Sequence, residues 1–213
     1  MICISIKQPF AFLILNNKKP IENRTWRLPE KYKGKRVLIH ASGKPWTWKQ
    51  FCNYIENFDS EDMELQKILR ENNFSEKWLK SLPTSAIIGS VEFPDCVINH
   101  PSVWAEKTDI PSMGEVLDDI KLLGRPIPPK PIIYNWVCES PVLFDNPILD
   151  VKGKLNFWES DIEICHICGK PITKEYLCNY CDEYYCDDCS AKYDQFSQID
   201  CNCCKKCAEK KHE

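Results

Sequence analysis

Ten of the fourteen cysteines in this 213-residue chain fall between positions 165 and 207. Cys165 and Cys168, Cys178 and Cys181, and Cys186 and Cys189 are each spaced CxxC, and the run ends in the cluster Cys201, Cys203, Cys204 and Cys207. A structural metal site built from thiolates wants four tetrahedral ligands, and a CxxC turn lets one short loop supply two of them. Four such pairs furnish two sites, so the tail predicts two bound Zn²⁺ ions. The other use of clustered cysteines, a disulfide framework, goes with secretion. Met1 to Ile6 has no basic start followed by a long apolar stretch, so no secretory signal is expected. The expected setting is intracellular and reducing, cytoplasm or nucleus. No apolar run approaches the roughly 18 residues of a membrane span, so no membrane partner is expected. Cys3, Cys52, Cys96 and Cys138 are scattered and read as small buried hydrophobes.

Ahead of the tail, 43% apolar composition can build one medium core. Ile2–Ile6 alternates as a strand, Pro9 opens a short apolar helix over Phe10–Leu15, and Asn16-Asn17 stops it. Ile21–Trp26 and Arg36–Ala41 read as strands around a basic loop with Gly34 at its turn. Residues 45–82 read as a helical insertion: one helix from Pro45 with Trp48, Phe51, Cys52 and Ile55 on one face, a second from Ser60 to Asn72, and a third capped by Ser75. Ser85–Val97 is predicted as a long strand, 101–131 as an excursion with a helix near Met113–Ile120. Ile132–Cys138, Val142–Phe144 and Val151–Trp158 complete the strands. This is an α+β pattern, a small mixed β-barrel over 1–160, with a boundary near Ser160–Ile164 and a cysteine-rich domain over 161–213.

The net charge of −3 is unevenly spread. Residues 1–44 carry ten Lys or Arg against Glu22 and Glu30, a balance of +8, while 45–164 stand at −9 and the tail at −2. Eight thiolates and two Zn²⁺ would bring the tail to about −6. A polyanionic partner should therefore meet the N-terminal segment and not the finger. In the strand Ile21–Trp26, alternation sets Glu22, Arg24 and Trp26 on one face, with Lys19 at its mouth. An Arg can fork to phosphate, a carboxylate can accept from a base amino group, and an indole can stack on a base.

Six segments resemble, in order, the ASCH domain, a PUA-like β-barrel family named for activating signal cointegrator homology. Ser5-Ile6-Lys7-Gln8-Pro9-Phe10-Ala11 is similar to the family's opening S-I-[RK]-Q-P-W-A, and Lys19-Pro20-Ile21-Glu22-Asn23-Arg24-Thr25-Trp26 to its central K-x-x-E-x-R-x-W. Gly34 to Ser42 resembles the following G-x-x-x-I-H-A-S strand, and Ala86 to Glu92 the A-I-[IV]-G-x-V strand. Tyr134 to Val137 and Val151 to Trp158 resemble the closing strands. Asn17 or Lys18 stands where the family usually has Gly. The resemblance implies a nucleic-acid-binding cleft, RNA favoured over DNA, with Lys7, Gln8, Lys19, Glu22, Arg24, Trp26, Lys35, Arg36, His40 and Ser42 as its candidate contacts.

Some relatives of that fold are amidohydrolases of N4-acetylated cytidine, which implies an alternative centre of Lys19 and Glu22, with Glu92 as a second carboxylate. Their Thr is Glu22 here, and a carboxylate beside Lys19 favours its charged form, which opposes a nucleophilic role. No Ser-His-Asp order, HExxH or P-loop is present. Binding is therefore expected over catalysis.

The tail's spacing resembles the cross-brace, treble-clef-type fingers of the PHD and FYVE kind. That resemblance assigns Cys165, Cys168, Cys186 and Cys189 to one ion, and Cys178, Cys181, Cys204 and Cys207 to the other. Cys201 and Cys203 are alternate ligands for the last pair. Tyr180, Tyr184, Tyr185 and the acids Asp182, Glu183, Asp187 and Asp188 give an aromatic, acidic surface suited to a protein partner. A stabilising appendage, or an adaptor of the ubiquitin system acting through the finger, are the remaining readings.

Overall fold

Strand β1 (Ile2–Ile6) alternates its side chains between two apolar layers, Ile4 and Ile6 to one side and Cys3 to the other. The computed structural model to which it belongs describes residues 1–56, 74–123, 130–172, 176–191 and 203–209. Strand β3 (Arg36–Ala41) lies parallel to β1, with Cys3 opposite Leu38 and Ile6 opposite Ala41. On β1's other side, β8 (Phe157–Glu159) runs antiparallel. Strands β4 (Ala86–Glu92) and β7 (Glu139–Ile148) extend the sheet to the order β7-β4-β3-β1-β8. A second sheet has the order β2-β6-β5, from β2 (Ile21–Arg24), β6 (Tyr134–Val137) and β5 (Cys96–Val97).

The main core draws Ile4, Ile39 and Val91 from the large sheet and Ile21 and Trp136 from the small one, all at most 1% exposed. Four connections pass between the sheets, and two of them are short corners. One leaves β4 through Phe93, Pro94 and Asp95, where proline lacks the N–H that would continue a ladder. The other runs from β6 through Cys138 into β7. Such corners are how strands change sheets. Among the described residues no strand pairing joins the two sheets, so the α+β class stands but the expected closed barrel is not formed.

Helix α1 (Phe10–Leu15) follows a cis Gln8–Pro9 bond and ends as its asparagines require. Asn17 takes φ +55°, and the N–H groups of Lys18 and Lys19 both donate to Leu13 O, at 2.8 and 3.1 Å. Asparagine tolerates this left-handed cap, so it serves where glycine is the usual residue. The turn delivers Lys19 directly onto β2. Gly89 lets α1 sit close to the sheet: a Cβ there would fall 2.3 Å from Val142 O and 2.6 Å from Leu15 Cδ1.

The insertion holds α2 (Trp48–Glu56) and α3 (Glu76–Ser81), the latter capped by Ser75 Oγ accepting from Trp78 N. The helix expected from Ser60 to Asn72 lies outside the described residues, apart from which α4 (Met113–Leu123) runs somewhat longer than predicted. Other boundaries also move. The strand expected over Ser85–Val97 is split at Pro94, and that over Val151–Trp158 begins only at Phe157. β2 stops at Arg24, because Trp26 turns into the core.

Beyond β8 the chain enters the finger, which docks on the outer face of the large sheet. Ile164 joins Cys3, Leu38, Ile87, Phe144 and Trp158 in a second apolar cluster. Ser90 Oγ donates to Gly169 O at 3.0 Å, and Lys170 pairs with Asp145 at 3.1 Å. The finger itself comprises a hairpin of β9 (Tyr176–Leu177) and β10 (Tyr184–Tyr185), a 3₁₀ turn over Asp187–Cys189, and α5 (Lys205–Glu209).

Candidate functional site

A cleft of about 370 Å³ opens where β1 and β3 end and where β2 forms the free edge of the small sheet. That volume is in the range of small-molecule pockets. Edge placement lets side chains from both faces of β2 reach it. Its floor is an ion group. Glu22, 7% exposed, holds Oε1 2.9 Å from Arg24 Nε and Oε2 3.5 Å from Lys19 Nζ. The Arg24 Nε contact lacks hydrogen-bond alignment, so it is ionic in character. Lys19, 2% exposed, donates to Ile21 O and lies 5.2 Å above the Phe10 ring. Arg24 Nη2 donates to Ser5 O at 2.9 Å, tying the edge strand to the end of β1.

One wall is aromatic. Phe10, Trp46 and Tyr54 pack edge-on, with centroids 4.7 Å (Phe10–Trp46), 5.1 Å (Phe10–Tyr54) and 5.2 Å (Trp46–Tyr54) apart. Burial first, then the charges of Glu106 and Glu22, push the Tyr54 phenol upward and keep it neutral. Lys7, Ser42, Glu106 and Leu155 complete the rim. Glu106 sits in a loop pinned by the asparagines Asn23 and Asn135, the second of them fully buried. Its N–H donates to Asn23 Oδ1 at 3.2 Å, and Asn135 Nδ2 donates to Glu106 O at 3.1 Å and to Asn23 Oδ1 at 3.0 Å.

Of the residues expected from the sequence, Lys7, Lys19, Glu22, Arg24 and Ser42 line this cleft. Six others stand elsewhere. Gln8 is fully buried and spends its side chain on backbone, accepting from Phe12 N at 3.0 Å and donating to Pro83 O at 3.0 Å. Trp26 packs on Trp136 and Phe157, at 4.6 and 5.7 Å, and is no free stacking platform. Lys35 and Arg36 lie at the far end of β3, about 20 Å of strand from Ser42. His40 faces the outer layer, its Nδ1 3.1 Å from Ser5 Oγ and its Nε2 2.9 Å from Val151 O. Burial lowers its pKa, so the ring is neutral. Glu92 is opposite Arg36 in register and 2.7 Å from its Nη2, so topology keeps it from Lys19.

Trp46, Tyr54, Asn23, Glu106 and Leu155 are cleft residues that the sequence reading did not select. The i, i+3 spacing of Phe51 and Tyr54 carries a signal for the aromatic wall. Glu106 carries none, since a loop acid is ordinarily a solvated one.

The cysteine tail forms two four-thiol groups. Cys165, Cys168, Cys186 and Cys189 make one, Cys178, Cys181, Cys204 and Cys207 the other, each with all Sγ atoms within 4.8 Å of one another. First and third pairs combine, as do second and fourth, in the expected cross-brace order. Cys168 and Cys186 Sγ are 3.7 Å apart, and Cys181 and Cys204 Sγ 4.0 Å. Four sulfurs at about 2.3 Å around a tetrahedral ion stand about 3.8 Å from each other, so the donor set fits a metal. The Cys204 N–H points at Cys178 Sγ at 3.4 Å, the kind of outer hydrogen bond that orients a ligand. Cys203 is outside both groups, buried and donating to Cys204 O, which removes it as an alternate. Cys201 lies outside the described residues. Burial pushes the Cys3 thiol up to about 12, as an inert core cysteine requires.

No protein-family model matches the chain, and no curated protein matches it. Among the described residues no helix is long and apolar enough to cross a membrane.

Proposed function

We propose that this protein binds single-stranded RNA by seating one unstacked base in the cleft, and that each cysteine group holds a Zn²⁺ ion. The observation that carries the reading is the Phe10–Trp46–Tyr54 wall standing beside Glu22 and Arg24 in one cleft. A base splayed from a single strand needs an aromatic surface, polar groups for its edge, and a cation for its phosphate. Trp46 and Tyr54 supply the first, Glu22 and Glu106 the second, and Arg24 with Lys7 the third. The ASCH-like motifs over residues 5–11 and 19–26 support the same reading, since they contribute Lys7, Lys19, Glu22 and Arg24 to the cleft. The PUA-like likeness is part of the proposal.

With all four positions taken by thiolate, each Zn²⁺ is a closed structural ion that supplies folding free energy and no reacting site. The acidic finger surface is left for a protein partner. Affinity for single-stranded RNA, duplex DNA and free nucleosides, measured across a salt series, tests the reading: preference for the single strand supports it. A second reading, an amidohydrolase of an acylated nucleoside, draws on the burial of Lys19 beside Glu22. Incubation with N4-acetylcytidine tests it, and no turnover by the wild type removes it.

A further inference from the structure

Resting on the base-binding reading, we infer that the cleft selects a base carrying an exocyclic amine, with Glu106 as the residue that reads it. The cleft carries charges of both signs. Lys7, which is exposed, Lys19 and Arg24 line it as cations, and Glu22 and Glu106 line it as carboxylates. Glu22 is already engaged by Lys19 and Arg24. Glu106 is different: its Oε1 lies 3.4 Å from Asn23 Nδ2, and among the described residues its Oε2 has no hydrogen bond.

Glu106 is also held in place by its backbone. Asn23 and Asn135 are cross-strand partners on β2 and β6, and Asn135 is fully buried. Between them they engage Glu106 N and O, Trp104 O and His100 N. Four contacts from two strand residues fix a loop that would otherwise wander, and they fix it with a carboxylate on the cleft rim. An acceptor pre-set beside an aromatic wall favours an edge that donates. The amino group of cytosine or adenine donates to it, whereas the keto oxygen of uracil or hypoxanthine turns a lone pair toward it. A polar group matched to the wrong edge is left unpaired, which is the basis of strong discrimination.

The test uses the full, metal-loaded chain and four single-stranded hexaribonucleotides of C, U, A and I. Comparing C with U, and A with I, holds ring size and stacking surface constant. The expected result is about tenfold tighter binding of the amino member of each pair, and loss of most of that preference in Glu106→Gln, whose amide can turn either a donor or an acceptor toward the base edge. The variant keeps every backbone contact of Glu106 and changes an exposed side chain, so it should fold. Equal affinity within both pairs, or a preference unchanged in Glu106→Gln, overturns the inference while leaving base binding in place. Absence of binding to all four overturns the cleft reading and this one with it.

Discussion

Glu22 Oε1 lies 2.9 Å from Arg24 Nε on the edge of the small sheet, and Glu22 is nearly closed to water while the Arg24 side chain is half-buried. The carboxylate also faces Lys19, which is buried still more deeply. Glu22 is thus the one anion between two cations, and the three charges are not equivalent. Removing Glu22 strands a buried ammonium, whereas removing Arg24 leaves the Lys19–Glu22 pair intact. Breaking a buried pair by deleting one partner costs about 3–5 kcal/mol. Glu22→Ala should therefore destabilise by about 3 kcal/mol or more, and Arg24→Ala by about half as much. Urea unfolding of the two variants checks this, and the reverse order would contradict it.

Gly89 marks the closest approach of α1 to the large sheet. A methyl group there meets a backbone carbonyl, Val142 O, which has less freedom to move than the Leu15 side chain. Gly89→Ala should cost about 1–3 kcal/mol by overpacking. A thermal or urea midpoint equal to the wild type would show that the approach is looser.

His40 gives a pH signature. Burial lowers its pKa below the ordinary 6.5, so as pH falls past that value the unfolded chain takes the proton first. Stability is full above about pH 6.5 and declines as pH drops toward the lower folded pKa. His40→Gln, measured by urea unfolding at pH 7 and pH 5, should show a flatter pH dependence than the wild type. An unchanged slope would mean that the ring is solvated.

The two thiol groups predict a metal count. Zinc analysis of the purified protein should give two ions per chain, one in Cys165→Ser and one in Cys178→Ser, and still two in Cys203→Ser. The first variant should also loosen the finger from the body, since the Cys165–Cys168 turn carries Gly169, whose carbonyl takes the Ser90 hydroxyl. Faster amide exchange around Ser90 in Cys165→Ser, and not in Cys178→Ser, is the expected readout.

The CxxC pairs were legible because spacing along a loop is local, while their cross-brace combination came from the resemblance to two-zinc fingers; α1 and β3 were legible too, from Pro9, the asparagines at 16 and 17, and an apolar run. The cleft was half legible. Lys19, Glu22 and Arg24 lie within six residues of each other, but Trp46, Tyr54 and Glu106 arrive by tertiary packing that no local pattern encodes. Counting charge along the first 44 residues could not show where that charge stands, because the fold disperses it. Arg36 pairs with Glu92 at 2.7 Å and Lys33 with Asp95 at 2.9 Å, both at the far end of β3. Lys35→Ala should accordingly leave RNA affinity almost unchanged, while Lys7→Ala at the rim lowers it and reduces the salt dependence by about one ion.

The most direct measurement is the affinity of a fluorescent single-stranded RNA for the wild type, Arg24→Ala and Trp46→Ala at one fixed salt concentration. If a base sits in the cleft, Trp46→Ala loses about 1–3 kcal/mol of stacking and Arg24→Ala a comparable amount of phosphate contact, so both bind about fivefold or more weakly. Wild-type affinity in both variants, each shown to be folded, would place RNA binding elsewhere or nowhere on this protein.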